Sequence, residues 1–354
     1  MFLRNYWYVA AWAKELEAGK LLARTLLSEP VVLFRTPDGK AHAFEDRCCH
    51  RRAPLSLGHM IGDKVQCGYH GLVFTPEGKV VGIPGQTMVP PGSQVRTYPV
   101  VERHSQIWIW MGDSALADPA KIPDHLYYMQ EDPKWRRVDG YLHFKCNYLL
   151  LVDNLLDLTH ETFLHGKTIG NEHVANTPLA KVERDEKGVT ATRWMINIDP
   201  PPLYARAGGF DKPGTKVDRW QIIRFEPPSH VTLDVGVAAA GTGAPQGDRS
   251  HGITHAVCDA ITPETERTTH YFWSFPRNYK LNDEGVQQFL QNGVHNTFLE
   301  DQEMLEGQQR IMDAAPNASQ IDINADGASV QARRMVDRLL AEESRSRETR
   351  VAAE

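Results

Sequence analysis

Two short motifs, Cys48-x-His50 and Cys67-x-x-His70, stand sixteen residues apart and constrain this chain more than any other feature. Each arm offers one thiolate and one imidazole. Structural zinc sites with two Cys and two His usually pair Cys with Cys on one arm and His with His on the other. Mixed arms suit a two-iron, two-sulfide cluster better: each arm gives its Cys to one iron and its His to the other. Neutral imidazoles in place of two thiolates raise the potential of such a cluster. A zinc ribbon is the alternative. Gly68 and Gly71 flank Tyr69-His70 and let backbone approach a cluster whose sulfurs need N–H donors. The neighbouring Cys49 is a second candidate sulfur, but the spacing to His50 favours Cys48.

The remaining composition removes other classes. Five cysteines in 354 residues are too few for a disulfide scaffold. With 39 basic and 45 acidic side chains there is no basic surplus, which argues against a nucleic-acid partner. No run of 18 apolar residues exists, so no membrane span is expected. The N-terminal residues lack the charged-then-apolar order of a signal peptide, and the expected location is the cytoplasm.

The length suggests two domains. Residues 1–114 read as a small all-β domain, with hairpins turning at Asp38-Gly39 and Glu77-Gly78 and an alternating aromatic strand in Gln106–Asp113. Ala115–Leu126, with two prolines, reads as a linker. Residues 115–354 read as α+β: strands through 178–275 form an antiparallel sheet, and helices are expected over 283–313 and 327–347. The polar C-terminal residues, 343–354, are expected to fray.

A second metal site is written in LVDNLLDLTHETFLH. Asp153, Asp157 and His160 fall at i, i+4 and i+7, one face of a helix. His165 lies about 140° further round, so both histidines reach one metal only if the helix loosens or ends. Two histidines and one carboxylate make the facial triad of non-haem Fe(II) oxygenases. FLEDQEMLEGQQ offers the carboxylate from Glu300, Asp301, Glu303 or Glu306; as a plain helix these are a solvated acidic face.

The two motifs together resemble the Rieske non-haem iron oxygenases across nearly the whole chain. One departure is Cys49, where that family usually has proline. The resemblance implies an N-terminal Rieske domain, with Cys48, His50, Cys67 and His70 on its [2Fe–2S] cluster, and a START-like, helix-grip catalytic domain. It assigns His160, His165 and Asp301 to a mononuclear Fe(II), and makes Asp157 the electron bridge. It also implies a head-to-tail homotrimer in which His70 meets the Asp157 of a neighbouring subunit. The segments CGYHGLVF, DNLLDLTHET and VDRWQIIRFEPPSHV resemble the branch containing the vanillate O-demethylase oxygenases, beside the dicamba O-demethylases and toluenesulfonate methyl-monooxygenases. The implied reaction is O-demethylation of a small methoxylated aromatic acid by O2, vanillate first, giving protocatechuate and formaldehyde. Electrons would come from a separate NADH-dependent flavin/iron–sulfur reductase, since no G-x-G-x-x-G dinucleotide fingerprint is present.

The same resemblance points to Trp220, Leu233, Asp259, Tyr271 and Asn292 as substrate contacts; each also reads as ordinary core or edge structure. Asp259 suits a phenol hydroxyl better than a carboxylate. Arg206 and Arg224 are candidate carboxylate clamps. Two rival readings remain. A Rieske electron carrier would need no His160, His165 or Asp301. A START-like ligand binder with a vestigial β-domain would hold no iron.

Overall fold

The computed structural model describes residues 1–351. It divides into two compact units, Met1–Ile122 with Thr262–Glu266, and Pro123–Ile261 with Arg267 onward.

The first unit is built from short antiparallel strands in three sheets. β1 (Trp7–Trp12), β10 (Val100–Arg103) and β11 (Gln106–Trp110) form one, in the order β1-β11-β10. β2 (Leu21–Leu26), β3 (Glu29–Arg35), β4 (Ala41–Glu45) and β9 (Thr97–Tyr98) form the second. The third is a meander of β5 (His59–Ile61), β6 (Lys64–Gln66), β7 (Val73–Phe74) and β8 (Val80–Gly82). The Asp38-Gly39 turn joins β3 to β4, and Gly78 turns β7 into β8, as the sequence signals require. The unit extends past residue 114. Asp113 and Asp118 each cap a short 3-10 turn, and Trp7 Nε1 donates to the Asp118 carbonyl at 2.9 Å. Pro119 opens one of these turns, so residues 115–122 are packed on the unit and do not make a free linker. The strand tip at Thr262–Glu266 also belongs here: Thr262 Oγ1 donates to the Val9 carbonyl at 2.7 Å.

The second unit is α+β, as expected. Seven strands form one antiparallel sheet: β12 (Arg136–Phe144), β13 (Lys181–Arg184), β14 (Val189–Ile198), β15 (Val217–Glu226), β16 (His230–Ala239), β17 (Gly252–Thr265) and β18 (Thr268–Arg277). Their order is β12-β18-β17-β16-β15-β14-β13. The helices are α1 (Tyr148–Leu156), α2 (Glu172–Asn176), α3 (Pro202–Gly208), α4 (Glu284–Ala314) and α5 (Gly327–Val351). Asp283 caps α4 by accepting from Val286 N at 3.0 Å. Leu290, Val294, Thr297, Phe298, Asp301, Leu305 and Gln309 are its buried stripe, at the three- and four-residue spacing of one helical face. Side-chain amides tie α4 along the edge strand: Gln287, Gln291 and Gln302 donate to the carbonyls of Arg137, Asp139 and His143. α5 continues to Val351, past the point where fraying was expected; residues 352–354 lie outside the described residues.

One expectation fails inside α1. The helix stops at Leu156, and Asp157 takes an extended backbone (φ −120°, ψ 97°). Its carboxylate accepts from Thr159 N and Thr159 Oγ1, both at 2.9 Å, and so starts a 3-10 turn over Leu158–Thr162. Aspartate prefers such a capping position to a helix interior. Asp153, Asp157 and His160 are therefore not on one helical face. Asp153 instead forms hydrogen bonds of 2.8–2.9 Å with Arg333 on α5.

Candidate metal centres and their cavity

In the first unit, two loops hold the Cys/His arms in the same backbone frame. Cys48 N donates to Ala53 O (2.8 Å) and Arg52 N to Cys48 O (3.0 Å); Cys67 N donates to Leu72 O (2.8 Å) and Gly71 N to Cys67 O (3.0 Å). Each cysteine thus opens a loop closed by the residues four and five positions on. Cys48 and Cys67 are buried, each 2% exposed. His50 and His70 are exposed, with ring centroids 4.7 Å apart at 70°.

The loops fit a cluster. A Cβ on Gly68 would lie 2.5 Å from the Leu57 carbonyl oxygen, and one on Gly71 (φ +73°) 2.8 Å from Pro84 Cγ. Only glycine allows this close backbone. Burial pushes the Cys48 thiol up to about 11, so a bound cation is what would draw off its proton. Cys49 is exposed, whereas Cys48 and Cys67 are buried; its thiol lies beside that of Cys48. A Cys49→Ser variant is expected to keep the full histidine-ligated cluster signal in electron paramagnetic resonance after reduction. Loss of that signal would make Cys49 a ligand.

In the second unit, His160, His165 and Asp301 each bring one ligand atom within 4.8 Å of the others. The 3-10 turn and the loop after it answer the angular problem posed by the sequence. The two imidazoles meet with ring centroids 5.1 Å apart at 79°. Asp301 Oδ1 is 3.1 Å from His165 Nε2 and 3.6 Å from His160 Nε2. Both remaining ring nitrogens have acceptors. His160 Nδ1 faces the Asp157 carbonyl oxygen at 2.7 Å, and His165 Nδ1 faces Glu300 Oε2 at 2.6 Å. Ligand histidines are usually held in this way, with the second nitrogen fixing tautomer and ring plane.

Asn154 Nδ2 donates to Asp301 Oδ1 at 3.1 Å. Glu161, between the two histidines, is buried and anchors the turn to the sheet. It accepts from Arg219 Nη2 at 2.7 Å and Gln221 Nε2 at 3.0 Å. Sequence reasoning missed Asn154 and Glu161, although a charged residue between two candidate ligand histidines was a signal. It also placed Glu300 on a solvated face, whereas Glu300 holds an imidazole.

A cavity adjoins the triad. Leu155, Leu158, Leu233, Val257, Val294 and Phe298 line it together with His160, His165, Asp301, Tyr204 and His255. His255 is fully buried, and neither ring nitrogen has a hydrogen-bond partner among the described residues. Burial, and then the charges of Arg219 and Arg277, push its pKa down to about 3, so the ring is neutral at ordinary pH. His255 was not anticipated. The signal was its place on β17, in phase with Val257 on the face that lines the cavity.

The expected substrate contacts divide. Leu233 lines the cavity. Asp259 and Tyr271 sit beyond its wall. Tyr271 donates to Asp259 at 2.7 Å and packs edge-on against Phe298, and burial pushes Asp259 up to about 8. Trp220 faces the other side of the sheet, where it packs with Ala238, Ala244 and Trp194 and donates to Asp234. Its strand neighbours Arg219 and Gln221 point inward to Glu161, and successive strand residues alternate faces. Asn292 is exposed on α4 and accepts from Gln288. Neither candidate clamp reaches the cavity: Arg206 is exposed over the Phe289 ring, and Arg224 pairs with Asp185 and Glu226. These positions were misplaced because local similarity does not fix which face a side chain takes.

Known proteins agree with this architecture. Residues 6–99 match the Rieske [2Fe-2S] domain, and residues 144–342 match the vanillate O-demethylase oxygenase C-terminal domain. The toluene-4-sulfonate monooxygenase system iron–sulfur subunit of Comamonas testosteroni is 44% identical over 97% of this chain and 99% of its own length. A vanillate O-demethylase oxygenase subunit from a Pseudomonas strain is 41% identical over 100% of this chain and 99% of its own. The crystal structure of dicamba monooxygenase bound to dicamba superposes with a TM-score of 0.88 at 36% identity, covering 97% of this chain and 99% of that one. Among the described residues no helix is long and apolar enough to cross a membrane. The cofactors are a Rieske [2Fe–2S] cluster and a mononuclear non-haem iron. On its whole length, in both of its domains, the chain belongs to the Rieske non-haem iron oxygenases, in the group of the vanillate O-demethylase oxygenases and their relatives.

Proposed function

We propose that this chain is the terminal oxygenase of an O-demethylase acting on a methoxylated aromatic acid, vanillate first. The products are the corresponding phenol, here protocatechuate, and formaldehyde. Cys48, His50, Cys67 and His70 hold the cluster, and His160, His165 and Asp301 hold the iron. The balance is one methoxyarene, one O2, two electrons and two protons in, and one phenol, one formaldehyde and one water out. The electrons come from NADH through a separate reductase. When bound, the cluster supplies electrons and the iron supplies oxygen chemistry. The chain itself orients the aromatic ring, excludes water and fixes the ligand tautomers.

The observation that carries the substrate class is His255. An unpartnered neutral imidazole, buried in the wall of a largely apolar cavity, can donate one N–H to an acceptor on the substrate. Arg219 is paired with Glu161, so the N–H of the ring itself is what an anion on the substrate would accept from. Leu233, Val257 and Phe298 then flank an aromatic ring, with the methoxy group toward the triad. Toluene-4-sulfonate, the substrate in the name of one relative, also carries an anionic oxygen acceptor on an aromatic ring.

The assembly is a head-to-tail trimer in this reading. Its support in the chain is the exposure of His50 and His70 and the partial exposure of Asp157.

The test is formaldehyde release by purified protein with a surrogate reductase, over vanillate, its positional isomers, dicamba and toluene-4-sulfonate. No formaldehyde from any methoxylated acid would refute the O-demethylase reading. His255→Leu is expected to lower kcat/KM for vanillate about 10- to 100-fold, because a hydrogen bond to a charged group is worth about 1.5–3 kcal/mol. Guaiacol, which lacks the carboxylate, should be nearly insensitive to the same change. An equal loss on both substrates would remove His255 from anion recognition.

A further inference from the structure

The two histidines of the triad are supported unequally. His160 Nδ1 rests on a main-chain carbonyl at 2.7 Å, a neutral acceptor. His165 Nδ1 rests on the Glu300 carboxylate at 2.6 Å. The His165 side chain is 1% exposed and that of Glu300 37%, so a buried ring is backed by a half-buried anion. Glu300 and Asp301 are consecutive on α4, and they take opposite nitrogens of one imidazole: Glu300 at Nδ1 and Asp301 at Nε2. The helix thus sets the ring plane of His165 from both edges at once.

We propose that Glu300 is a positioning residue that acts through His165. It fixes Nδ1–H as the donor, leaves Nε2 for the metal, and shifts electron density into the ring, making His165 the stronger donor of the two histidines. A hydrogen bond to an ionised acceptor is shorter and stronger than one to a neutral carbonyl, and partners of this kind raise ligand basicity. Glu300 also lines an open groove along the second half of α4, with Leu164, Met304, Gly307 and Ile311. The charge that tunes the buried ligand is therefore in contact with the surface, while the support of His160 is internal backbone. Nothing in the spacing of FLEDQEMLEGQQ separates Glu300 from Glu303; the difference is that only one of them reaches His165.

The inference rests on the reading of His160, His165 and Asp301 as iron ligands, and the test separates the two. Wild type, Glu300→Gln and Glu300→Ala proteins are isolated with cluster and iron in place. Two quantities are read: the rate at which a ferrous chelator removes the mononuclear iron, and the electron paramagnetic resonance of its nitric oxide adduct. The cluster signal reports folding. Glu300→Ala is expected to release iron about 10- to 100-fold faster, the usual cost of losing such a partner. Glu300→Gln, of the same shape but neutral, should release it at an intermediate rate and show an altered nitrosyl signal. A Gln variant with wild-type release and an unchanged nitrosyl signal overturns the proposal, whatever the Ala variant does. Wild-type protein carrying two irons per chain instead of three sinks the ligand reading, and Glu300 with it.

Discussion

Replacing Asp301 with alanine is expected to lower the iron content from three to two per chain and to abolish formaldehyde release, while the reduced cluster keeps its signal. Asp301 is 4% exposed, in the buried stripe of α4. Among the described residues it is the one carboxylate whose oxygen approaches both His160 Nε2 and His165 Nε2. Removing it leaves two neutral imidazoles to hold a dication, and leaves Asn154 Nδ2 without its acceptor. Asn154 is half-buried, so its unmet donor costs less than the ~1–3 kcal/mol of a fully buried one, and the variant should melt only slightly lower. Iron and acid-soluble sulfide analysis of the purified variant, beside its cluster spectrum, is the measurement. Retention of three irons would remove Asp301 from the ligand set.

Asp157→Asn is expected to keep the fold, the cluster and the iron, and to slow electron delivery to the mononuclear site by at least about 10- to 100-fold. Asparagine caps a turn about as well as aspartate, and its amide oxygen can still accept from Thr159 N. His160 does not depend on the carboxylate, because its Nδ1 rests on the main-chain oxygen of residue 157. The reading in which the Asp157 side chain merely orients His160 therefore loses its geometric basis. What the variant loses is charge at a partly exposed position, where the proposed bridge accepts from His70 of the partner subunit. At about 1.5–3 kcal/mol for a hydrogen bond to a charged group, the bridged arrangement becomes that much rarer. Single-turnover reoxidation of the reduced cluster, with substrate and oxygen present and iron content verified, reads the effect. Wild-type reoxidation in iron-replete protein would end the bridge proposal.

Much of the site was legible because metal ligation imposes short spacings. Cys48-x-His50, Cys67-x-x-His70 and the pair His160, His165 are local patterns, and the structure brings the members of each together. What could not be read was side-chain direction. Trp220 and Arg219 are neighbours on β15, and a strand gives them opposite faces; the sequence around them resembles known substrate-contacting segments whichever way it points. Asp157 satisfied a helical spacing, but its capping preference ended the helix first. His255 gave no motif. It matters through what it lacks, a hydrogen-bond partner, and that is a property of packing.

The three side chains proposed to hold the iron come from two stretches of chain, with His165 and Asp301 separated by 136 positions. The four side chains proposed to hold the cluster, Cys48, His50, Cys67 and His70, lie in two loops, one closed by Ala53 and the other by Leu72. During synthesis these loops exist long before α4 does. At about 5–20 residues per second, the roughly 230 residues between Leu72 and Asp301 take on the order of 10–50 s to make. Cluster insertion can thus begin on a nascent chain, whereas iron has no complete site until nearly the whole polypeptide is made. The positions of the proposed ligands along the chain set only the earliest moment at which each cofactor can bind.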